Sequence, residues 1–320
     1  MPSERTAIVI CTHQGVSSLD PCLAKFQAMA RNSEDLIFID NGSEDSLHLW
    51  AEERFPRIST LRLPQNQMFC GGYNAGIRMA MEKGYDFVLM SNADTEPINP
   101  KMLEELLAAA HRWPRGAFFG PRVSWKKPEV VQKTCLQFPS FLRNFWLWIP
   151  WRVVRSHFAK QPSQERTVEF LNGVCLLCRV AALREIGLMD EVMGGYVEDA
   201  DWAWRAREKG WGSVFTPVSS IIHHEAATGY EPYSLKSFLL KRNIVYWFLK
   251  IGKKPSAWSY AYASIFLACL RLWSAASDSE REKHRYFLRR LTRTFSGLLR
   301  QEVIGDWFGP PFSSWKKEYV

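Results

Sequence analysis

The feature that most constrains the fold of this chain is the alternation of strand-like and helix-like segments along its first hundred residues. Asp20-Pro21 opens one helical segment, and Asn74 is expected to cap the N-terminus of another. Between the helical segments stand short apolar runs rich in β-branched residues, TAIVICT (6–12), DLIFID (35–40), ISTLRL (58–63) and DFVLMS (86–91). This βαβ alternation predicts an α/β protein with a mostly parallel sheet flanked by helices.

Polar residues follow these predicted strands where the strands end. Three such ends are Cys11-Thr12-His13, Asp40-Asn41-Gly42-Ser43 and Ser91-Asn92-Ala93-Asp94. A plain turn would explain any one of them, because Asn and Asp favour turns. In open α/β sheets, however, ligands bind beyond the carboxyl ends of the strands, and two of the three ends present a carboxylate. The sequence therefore predicts a binding site along this edge of the sheet.

Acidic residues are also concentrated in YVEDADWAWRAREKG (196–210), a predicted helix that ends at Gly210. Glu198, Asp199 and Asp201 stand at its start. N-capping and the helix dipole account for one acid there, so at least one of the three is expected to have another role. An ionised Asp can accept the proton of a bound hydroxyl.

A pair of histidines, His223 and His224, ends the strand-like run SVFTPVSSIIHH. Either they are structural, or one of them joins a carboxylate around a divalent metal. Together the acids and the His predict one carboxylate for a nucleotide, one for a metal on a diphosphate, and one as a base. That set fits sugar transfer from a nucleotide sugar, because a metal ion stabilises the charge of the leaving diphosphate.

The known phosphate-binding motifs are missing from the sequence. No GxGxxG follows a strand and no GxxxxGK[ST] is present, and CGGYNAG (70–76) fits neither spacing although it opens a helix. A sugar-phosphate nucleotidyltransferase, the second enzyme hypothesis, would need a basic glycine-rich loop near the first strand. CTHQGVSSLD, which follows that strand, has no Lys or Arg.

The cellular compartment is predicted from cysteine usage and from the N-terminus. The seven cysteines are odd in number and scattered, which favours reduced thiols in the cytoplasm; Cys175 and Cys178 lie in VCLLC, a predicted buried strand. MPSERTAIVI does not resemble a signal peptide. The longest uncharged stretch, Pro255 to Leu270, is shorter than the ~18–20 apolar residues that a membrane-spanning helix needs.

The C-terminal part of the chain is predicted to be helical, basic and aromatic. Its SLKSFLLKRNIVYWFLKIGKK (234–254) is typical of a helix that lies at a membrane surface, although it could instead pack on the protein or on a second subunit. FPSFLRNFWLWIPWRVVRSHF (138–158) has the same two interpretations, an acceptor or membrane surface and a hydrophobic subdomain. With the net charge of +8, a non-enzymatic basic adaptor for membranes or nucleic acid is a third hypothesis.

Several stretches, taken in order over residues 5 to 250, resemble glycosyltransferase family 2, in the branch that contains rhamnosyltransferases. They are IVICTHQG, FIDNGSEDS, NQMFCGGYNAGI, SNADTEP (similar to N-P-D-T, that branch's form of D-x-D), GLMDEVMGGYVEDADWAWRAREKG, IIHHEAAT and KRN. The resemblance implies a GT-A fold. It also implies three regions: a nucleotide-sugar-binding half (1–100), an acceptor-binding half (101–232) and a helical C-terminal extension (233–320).

The resemblance also implies roles for individual residues. Asp199 would be the catalytic base, which gives inversion at the anomeric carbon, and Asp94 and His223 would hold Mg²⁺ or Mn²⁺. Glu198, Asp201 and Arg205 would support the base. The nucleotide-sugar site would comprise Thr12, Asp40, Asn41, Ser43, Gly72, Asn74, Asn92 and Arg242.

The function so implied is inverting, metal-dependent sugar transfer from a nucleotide-diphosphate donor, dTDP-rhamnose or a UDP-sugar. The acceptor would be a hydroxyl of a cell-surface polysaccharide or a lipid-linked glycan. The expected location is the cytoplasm, peripherally at the inner face of a membrane, and no nucleic-acid partner is expected. His13, Gln14, Met68 and Cys70 depart from the family pattern, which leaves the base and sugar preferences open.

Overall fold

The structure is a computed structural model that describes residues 4–15, 17–140, 161–224 and 234–300. Its strands are β1 (Thr6–Thr12), β2 (Leu36–Asp40), β3 (Ser59–Arg62), β4 (Phe87–Asn92), β5 (Thr95–Pro97), β6 (Gly116–Trp125), β7 (Cys135–Leu136), β8 (Arg166–Val168), β9 (Phe170–Leu171), β10 (Cys175–Arg179) and β11 (Gly212–His223). Its helices are α1 (Leu19–Met29), α2 (Leu47–Arg54), α3 (Met68–Glu82), α4 (Met102–Arg112), α5 (Val180–Ile186), α6 (Glu198–Glu208), α7 (Leu235–Lys250), α8 (Lys254–Trp273) and α9 (Asp278–Arg300), with 3₁₀ turns at Ser33–Asp35 and Glu191–Met193.

One large sheet runs in the order β3-β2-β1-β4-β10-β6-β11-β5, and β8 pairs beside β11. The first four strands of this order are parallel, as the sequence predicts, whereas β10 runs antiparallel to both of its neighbours. Thr12 pairs with Asp40, and Cys11 pairs with Asn92. The predicted α/β class is confirmed, and the three polar strand ends meet at one edge of the sheet.

The apolar runs form strands because both of their faces are covered. Every residue of β2 is buried, as are Ala7–Ile10 of β1. Side chains of α1 and α4, among them Phe26 and Leu106, belong to the same core as these strands. Continuous apolar strands of this kind are expected where helices cover a parallel sheet.

Helix α3 begins earlier than the sequence predicts. Asn74 was expected to cap it, but the helix starts at Met68 and Asn74 is buried inside it. The capping preference of Asn is a weak local signal, and here tertiary packing outweighs it. The glycines of CGGYNAG are therefore helical, and they let α3 approach the sheet closely.

Replacing Gly76 by Ala is expected to lower the free energy of unfolding by about 1–3 kcal/mol through overpacking. The added Cβ would lie 2.4 Å from Val9 Cγ1 and 3.2 Å from Ile39 Cγ1, on two strands that are fully buried at these positions. Ala is otherwise the better helix residue by about 1 kcal/mol. Urea unfolding measures the change, and Gly15→Ala, with its nearest contact at 3.5 Å, is the control. An unchanged or higher stability of Gly76→Ala would show that β1 and β2 move to make room for the added methyl group.

The described residues fall into two compact units. The first contains the large sheet with its helices, so the predicted halves 1–100 and 101–232 share one sheet. The second contains Gly195–Val197 and the three C-terminal helices, close to the predicted extension. The assignment of donor and acceptor to the two halves stays a prediction.

Residues 234–254 had two interpretations, a membrane-surface helix or a helix packed on the protein. The structure favours packing for α7, which covers most of that stretch. Nine of its residues are buried, including Phe238, Trp247 and Phe248. It packs against α8 and α9, with Phe238 in edge-to-face contact with Phe287. Most of the other aromatic stretch, 138–158, lies outside the described residues. Within the described ranges, no helix combines the length and the apolar character needed to cross a membrane.

Candidate functional site

A cavity of about 320 Å³ opens where β1, β2 and β4 end. Its size is at the lower end of the range of small-molecule pockets, about 300–1,000 Å³. Thr12, Asn41, Asn92 and Asp94, four of the predicted site residues, line it. The remaining lining residues are Cys11, His13, Asn66, Met68, Phe69, Tyr73 and Ala93.

Asp94 and His223, the two predicted metal ligands, lie side by side. Asp94 Oδ2 is 3.1 Å from His223 Nε2. The strands explain this contact, because the end of β11 pairs with β5, and His223 stands opposite Thr95, the residue after Asp94. Since Asp94 lines the cavity, the carboxylate–imidazole pair stands at the cavity wall.

Gln132 orients the imidazole of His223. Gln132 Oε1 lies 3.1 Å from His223 Nδ1. When the amide oxygen accepts this hydrogen bond, Nδ1 carries the proton, and the lone pair of Nε2 points toward Asp94. The Gln132 backbone is itself held, because its N–H donates to the Val123 carbonyl and its carbonyl accepts from Gln161 Nε2.

This pair fits a divalent cation that is shared with a phosphate ligand. Neighbouring ligands of an octahedral ion stand about 3 Å apart, since each metal–ligand bond is about 2.1 Å. The 3.1 Å separation matches that spacing. No group of three His, Cys, Asp or Glu side chains suited to a metal occurs in the described part of the chain. Mg²⁺ is commonly held by one or two protein groups together with water and substrate phosphates, so two ligands suffice.

Asn41 organises the floor of the cavity. Its amide nitrogen donates to the Met68 carbonyl at 2.9 Å, and its Oδ1 accepts from the Gln67 N–H at 2.9 Å. Met68 has a φ of 59°, in the left-handed region that a residue with a Cβ rarely adopts. These two hydrogen bonds hold the Gln67 N–H and the Met68 carbonyl, one on each side of the Met68 φ angle. Met68 and Asn66 line the cavity.

Asp40 faces the protein interior and does not line the cavity. The residue is fully buried, and its carboxylate accepts hydrogen bonds from the Ser43 N–H at 2.8 Å and from His48. Burial would raise the pKa of Asp40, but these hydrogen bonds outweigh it and hold the pKa below its ordinary value. Ser43 Oγ accepts from the Leu47 N–H at the start of α2. Asp40 and Ser43 therefore shape the loop in this structure, and the nucleotide contact predicted for Asp40 stays a prediction.

Gly72 and Asn74, both predicted to bind the nucleotide sugar, have structural surroundings. A Cβ on Gly72 would lie 2.6 Å from Cys11 Sγ, so a larger residue there would push α3 away from β1. Asn74 Nδ2 donates to the Met189 carbonyl and to Glu191, and its Oδ1 accepts from the Met189 N–H. These bonds tie α3 to the loop before α6, and the contact predicted between Asn74 and the nucleotide sugar stays a prediction.

Asp199 and Glu198 begin α6 beside the turn at Asn172–Val174. The Gly173 N–H and the Ala200 N–H donate to Asp199, the latter at 2.8 Å. The same turn contacts β4, because the Asn92 N–H donates to the Val174 carbonyl. Gly173 also lies between Phe69, a residue of the cavity wall, and the Glu198 carboxylate. The turn thus links the two acids to the cavity.

The environment of these acids favours proton transfer near neutral pH. Burial raises the pKa of Asp199 to about 6, although hydrogen bonds from backbone N–H groups lower it in part. Burial and the charge of Asp199 raise the pKa of Glu198 well above its ordinary value. Glu198 Oε2 is buried and has no hydrogen-bond partner in the described residues.

The other predicted residues are held by ion pairs and hydrogen bonds. Arg205 Nε donates to Asp201 at 2.8 Å, and its guanidinium also donates to the Leu188 carbonyl, so this pair fixes α6 against the preceding loop. Arg242, in the second unit, donates to Asn243, whose amide donates to the Gly195 and Tyr196 carbonyls. The contact predicted between Arg242 and the diphosphate stays a prediction.

Three residues of this region were not among the predicted site residues. Gln132 is separated from His223 by 91 positions. Phe69 and Tyr73 line the cavity from α3, and the Tyr73 hydroxyl donates to the Ser91 carbonyl at 2.7 Å. The helical spacing of Phe69 and Tyr73 indicates a shared face, but it does not show that a cavity lies beside it.

Comparison with known proteins identifies relatives along most of the chain. Residues 7–187 match the family described as glycosyl transferase family 2. An N-acetylglucosaminyl-diphospho-decaprenol L-rhamnosyltransferase of Mycobacterium tuberculosis is 29% identical over 302 residues, which cover 86% of this chain and 95% of that protein. A low-salt glycan biosynthesis hexosyltransferase of Haloferax volcanii is 22% identical over 220 residues, 68% of this chain and 67% of that protein.

The fold has a counterpart among solved structures. A crystal structure of GalNAc-T7 with UDP, GalNAc and Mn2+ matches with a TM-score of 0.57 and 14% sequence identity. The match covers 77% of this chain but only 47% of that one, so the chain spans about half the length of this structural neighbour. At this identity the likeness concerns the fold alone, and it confirms the predicted GT-A architecture.

These matches confirm the predicted family and favour the first of the three functional hypotheses over the nucleotidyltransferase and the non-enzymatic adaptor. They also support the prediction of a rhamnosyltransferase-like branch, because the mycobacterial relative aligns over nearly its whole length. The chain is a glycosyltransferase, and it belongs to glycosyl transferase family 2.

Proposed function

We propose that this protein is an inverting, metal-dependent glycosyltransferase that moves a sugar from a nucleotide-diphosphate donor to a hydroxyl of a lipid-linked glycan. The observation that carries the proposal is the position of Asp94, in contact with His223, on the wall of a cavity at the carboxyl edge of the parallel strands, with Asp199 and Glu198 beside the neighbouring turn at Gly173. Ligands of α/β sheets bind at this edge.

In this proposal Asp94 and His223 hold a Mg²⁺ or Mn²⁺ ion on the donor diphosphate. Such an ion, when bound, neutralises the negative charge that grows on the leaving group. Thr12, Asn41 and Asn92 border the same cavity and are proposed to contact the nucleotide sugar. The GalNAc-T7 structure contains UDP and Mn2+, which is consistent with a divalent ion in this fold.

Asp199 is proposed to take the proton of the acceptor hydroxyl. With a pKa of about 6 it is ionised at neutral pH, yet it remains basic enough to accept a proton. The N–H groups of Gly173 and Ala200 fix its orientation. An attack that Asp199 assists from the side opposite the diphosphate inverts the anomeric carbon.

The relatives support a choice of substrates. The name of the mycobacterial relative describes rhamnosyl transfer to a sugar on a decaprenyl diphosphate. A protein of Micrococcus luteus, 30% identical over 108 residues, or 33% of this chain and 44% of that one, is an undecaprenyl-phosphate mannosyltransferase. We therefore propose dTDP-rhamnose or a UDP-sugar as donor, a lipid-linked glycan as acceptor, and a peripheral location at the cytoplasmic face of a membrane. Nucleic acid is not a proposed partner.

A panel of nucleotide sugars tests this proposal. The thermal unfolding temperature is measured with dTDP-rhamnose, UDP-sugars and GDP-sugars, each with Mn²⁺ and with EDTA. The stabilising donor is then incubated with a polyprenyl-diphosphate-linked sugar, and the product is analysed by mass spectrometry and by NMR for anomeric configuration. Metal-dependent stabilisation followed by an inverted product is the expected result. A retained anomeric configuration would refute the inverting mechanism. Transfer that is unaffected by EDTA would refute the metal dependence.

Replacing Gln132 by Met is expected to weaken Mn²⁺ binding by about 10–100-fold, the range observed when the hydrogen-bond partner of a metal-bound His is lost. Met has a similar length but cannot accept the Nδ1–H bond, so the imidazole loses its preferred tautomer and orientation. Calorimetry with Mn²⁺ and a nucleoside diphosphate measures the affinity. Gln132→Glu keeps an oxygen acceptor and is expected to restore binding. Equal loss in both variants would mean that Gln132 acts through packing alone.

A further inference from the structure

Helix α8 presents an apolar stripe to solvent. Tyr262 and Phe266 are 62% and 63% exposed, and Trp273 is 87% exposed. Trp258 and Leu270 extend the stripe, at 41% and 43% exposure. Residues 258, 262, 266 and 270 follow one another at four-residue spacing, and this spacing places them along one side of a helix. Exposed aromatic residues that adjoin in this way mark an interaction surface.

The stripe is distinct from the side of α8 that forms the core of the second unit. Ala257, Tyr260, Ala261, Ser264 and Ala268 are buried, and α8 packs against both α7 and α9. Its buried residues are small apart from Tyr260, whereas the large apolar residues face outward. Packing within the unit therefore does not account for the stripe. Nothing in the described residues covers it.

The unit that carries the stripe is strongly basic. Residues 234–300 contain fourteen Lys and Arg residues but only three acidic ones, a formal charge of +11. The whole chain carries +8, so the rest of the chain amounts to −3. No Asp or Glu occurs between Glu231 and Asp278. Lys254 at the start of α8 and Arg271 near its end are exposed.

Aromatic and basic residues together favour an anionic bilayer over a second copy of this chain. Trp and Tyr side chains prefer the headgroup region of a membrane, and each Lys or Arg near an anionic leaflet adds electrostatic attraction. Two copies joined through this face would instead bring two units of +11 together. The bilayer contact must be superficial, because half of α8 is occupied by packing against α7 and α9.

We infer that the exposed face of α8, formed by Trp258, Tyr262, Phe266, Leu270 and Trp273, docks this protein onto an anionic lipid bilayer. The aromatic rings enter the interfacial region, while Lys254, four residues before Trp258 on the same side of the helix, lies near the lipid phosphates. This inference deepens the proposed membrane location and replaces the membrane-surface helix that the sequence predicts at residues 234–254. It stands on the surface of the second unit, so it can fail while the proposed sugar transfer holds.

Vesicle flotation of the full chain tests the inference. Vesicles of phosphatidylcholine alone are compared with vesicles that also contain phosphatidylglycerol, without donor or metal. The wild-type protein is expected to float with the anionic vesicles. Tyr262→Ser/Phe266→Ser is expected to weaken that partition about tenfold or more, and Lys254→Glu is expected to weaken it in the same direction.

Matched controls come from the first unit. Leu49→Ser/Val218→Ser removes two apolar residues that are 58% and 60% exposed, and Arg57→Glu/Lys209→Glu reverses two exposed charges. Both controls are expected to float like the wild type. Far-UV circular dichroism and metal-dependent nucleotide binding of each variant separate loss of docking from loss of the fold or of the proposed donor site.

Two results would overturn the inference. One is a flotation result: either the Tyr262→Ser/Phe266→Ser variant binds the anionic vesicles as well as the wild-type protein does, or the wild-type protein does not float with them. The other is a wild-type dimer in sedimentation velocity that becomes monomeric in the Tyr262→Ser/Phe266→Ser variant, which would assign the face to a second copy. Loss of nucleotide binding in the wild type would instead count against the proposed function and leave the docking result intact.

Discussion

Replacing Asp199 by Asn is expected to reduce kcat by about 10²- to 10⁴-fold, the usual contribution of a positioned general base. Asn keeps the shape of the side chain and can still accept the N–H bonds from Gly173 and Ala200, but it cannot take up a proton. Nucleotide-diphosphate binding should therefore persist. Steady-state transfer and calorimetry measure the two quantities separately, and turnover at the wild-type rate would remove Asp199 from the role of base.

The pH dependence gives a second measurement of the same role. Because the base must be ionised and its pKa is about 6, kcat/KM should be low below pH 6 and should rise as the pH passes through that value. Glu198→Gln should keep an acid limb, because Asp199 remains in place as the base. An acid limb near the ordinary pKa of an exposed Asp, about 4, would contradict the buried environment of Asp199.

Replacing Asp94 by Ala is expected to weaken metal-dependent donor binding by roughly 100-fold or more, because loss of a direct ligand should cost at least as much as loss of its hydrogen-bond partner. Asp94 would supply one of the two protein ligands of the ion. Calorimetry with a nucleotide sugar, with and without Mn²⁺, measures the loss, and the weak binding without metal should be unchanged. His223→Ala should act in the same direction.

Glu96→Gln is the matched control for Asp94→Ala. Glu96 lies two residues further along, and its carboxylate contacts Lys25 and His224 instead of His223. The Glu96→Gln substitution removes one negative charge from the same region but leaves Asp94 and His223 in place. If Glu96→Gln weakened metal-dependent binding as strongly as Asp94→Ala, the effect would come from the overall negative charge and not from coordination.

Features that depend on neighbouring residues in the chain could be predicted from the sequence. Strands β1, β2 and β4 are runs of apolar residues whose burial follows from their composition, and β1 was predicted with its observed bounds. Asp94 and His223 could be selected as partners through the family resemblance. The turn chemistry of Asp40 and Ser43 is also local, because the carboxylate bonds to an N–H three residues away.

Features that depend on residues far apart in the chain could not be predicted. Asn74 has the composition of a helix cap, yet its amide bonds to Met189, 115 positions away. Gln132 has no recognisable motif around it and gains its contact with His223 only because β6 and β11 pair in parallel. The strand pairing that creates such contacts is set by packing of the whole sheet, which no local sequence window contains.

The sequence by itself determined the α/β class, the family and the strand ends that carry polar groups, because local periodicity and short motifs specify them. Only the tertiary structure decided which groups meet: it turned Asp40 inward, joined His223 to Asp94 and linked Asp199 to the cavity through Gly173. It also decided which aromatic helix is covered, since α7 and α8 have similar compositions but α7 is buried and α8 keeps an exposed face. The physical reason is that the burial of a side chain depends on how the whole unit packs, whereas composition is a property of the local segment alone.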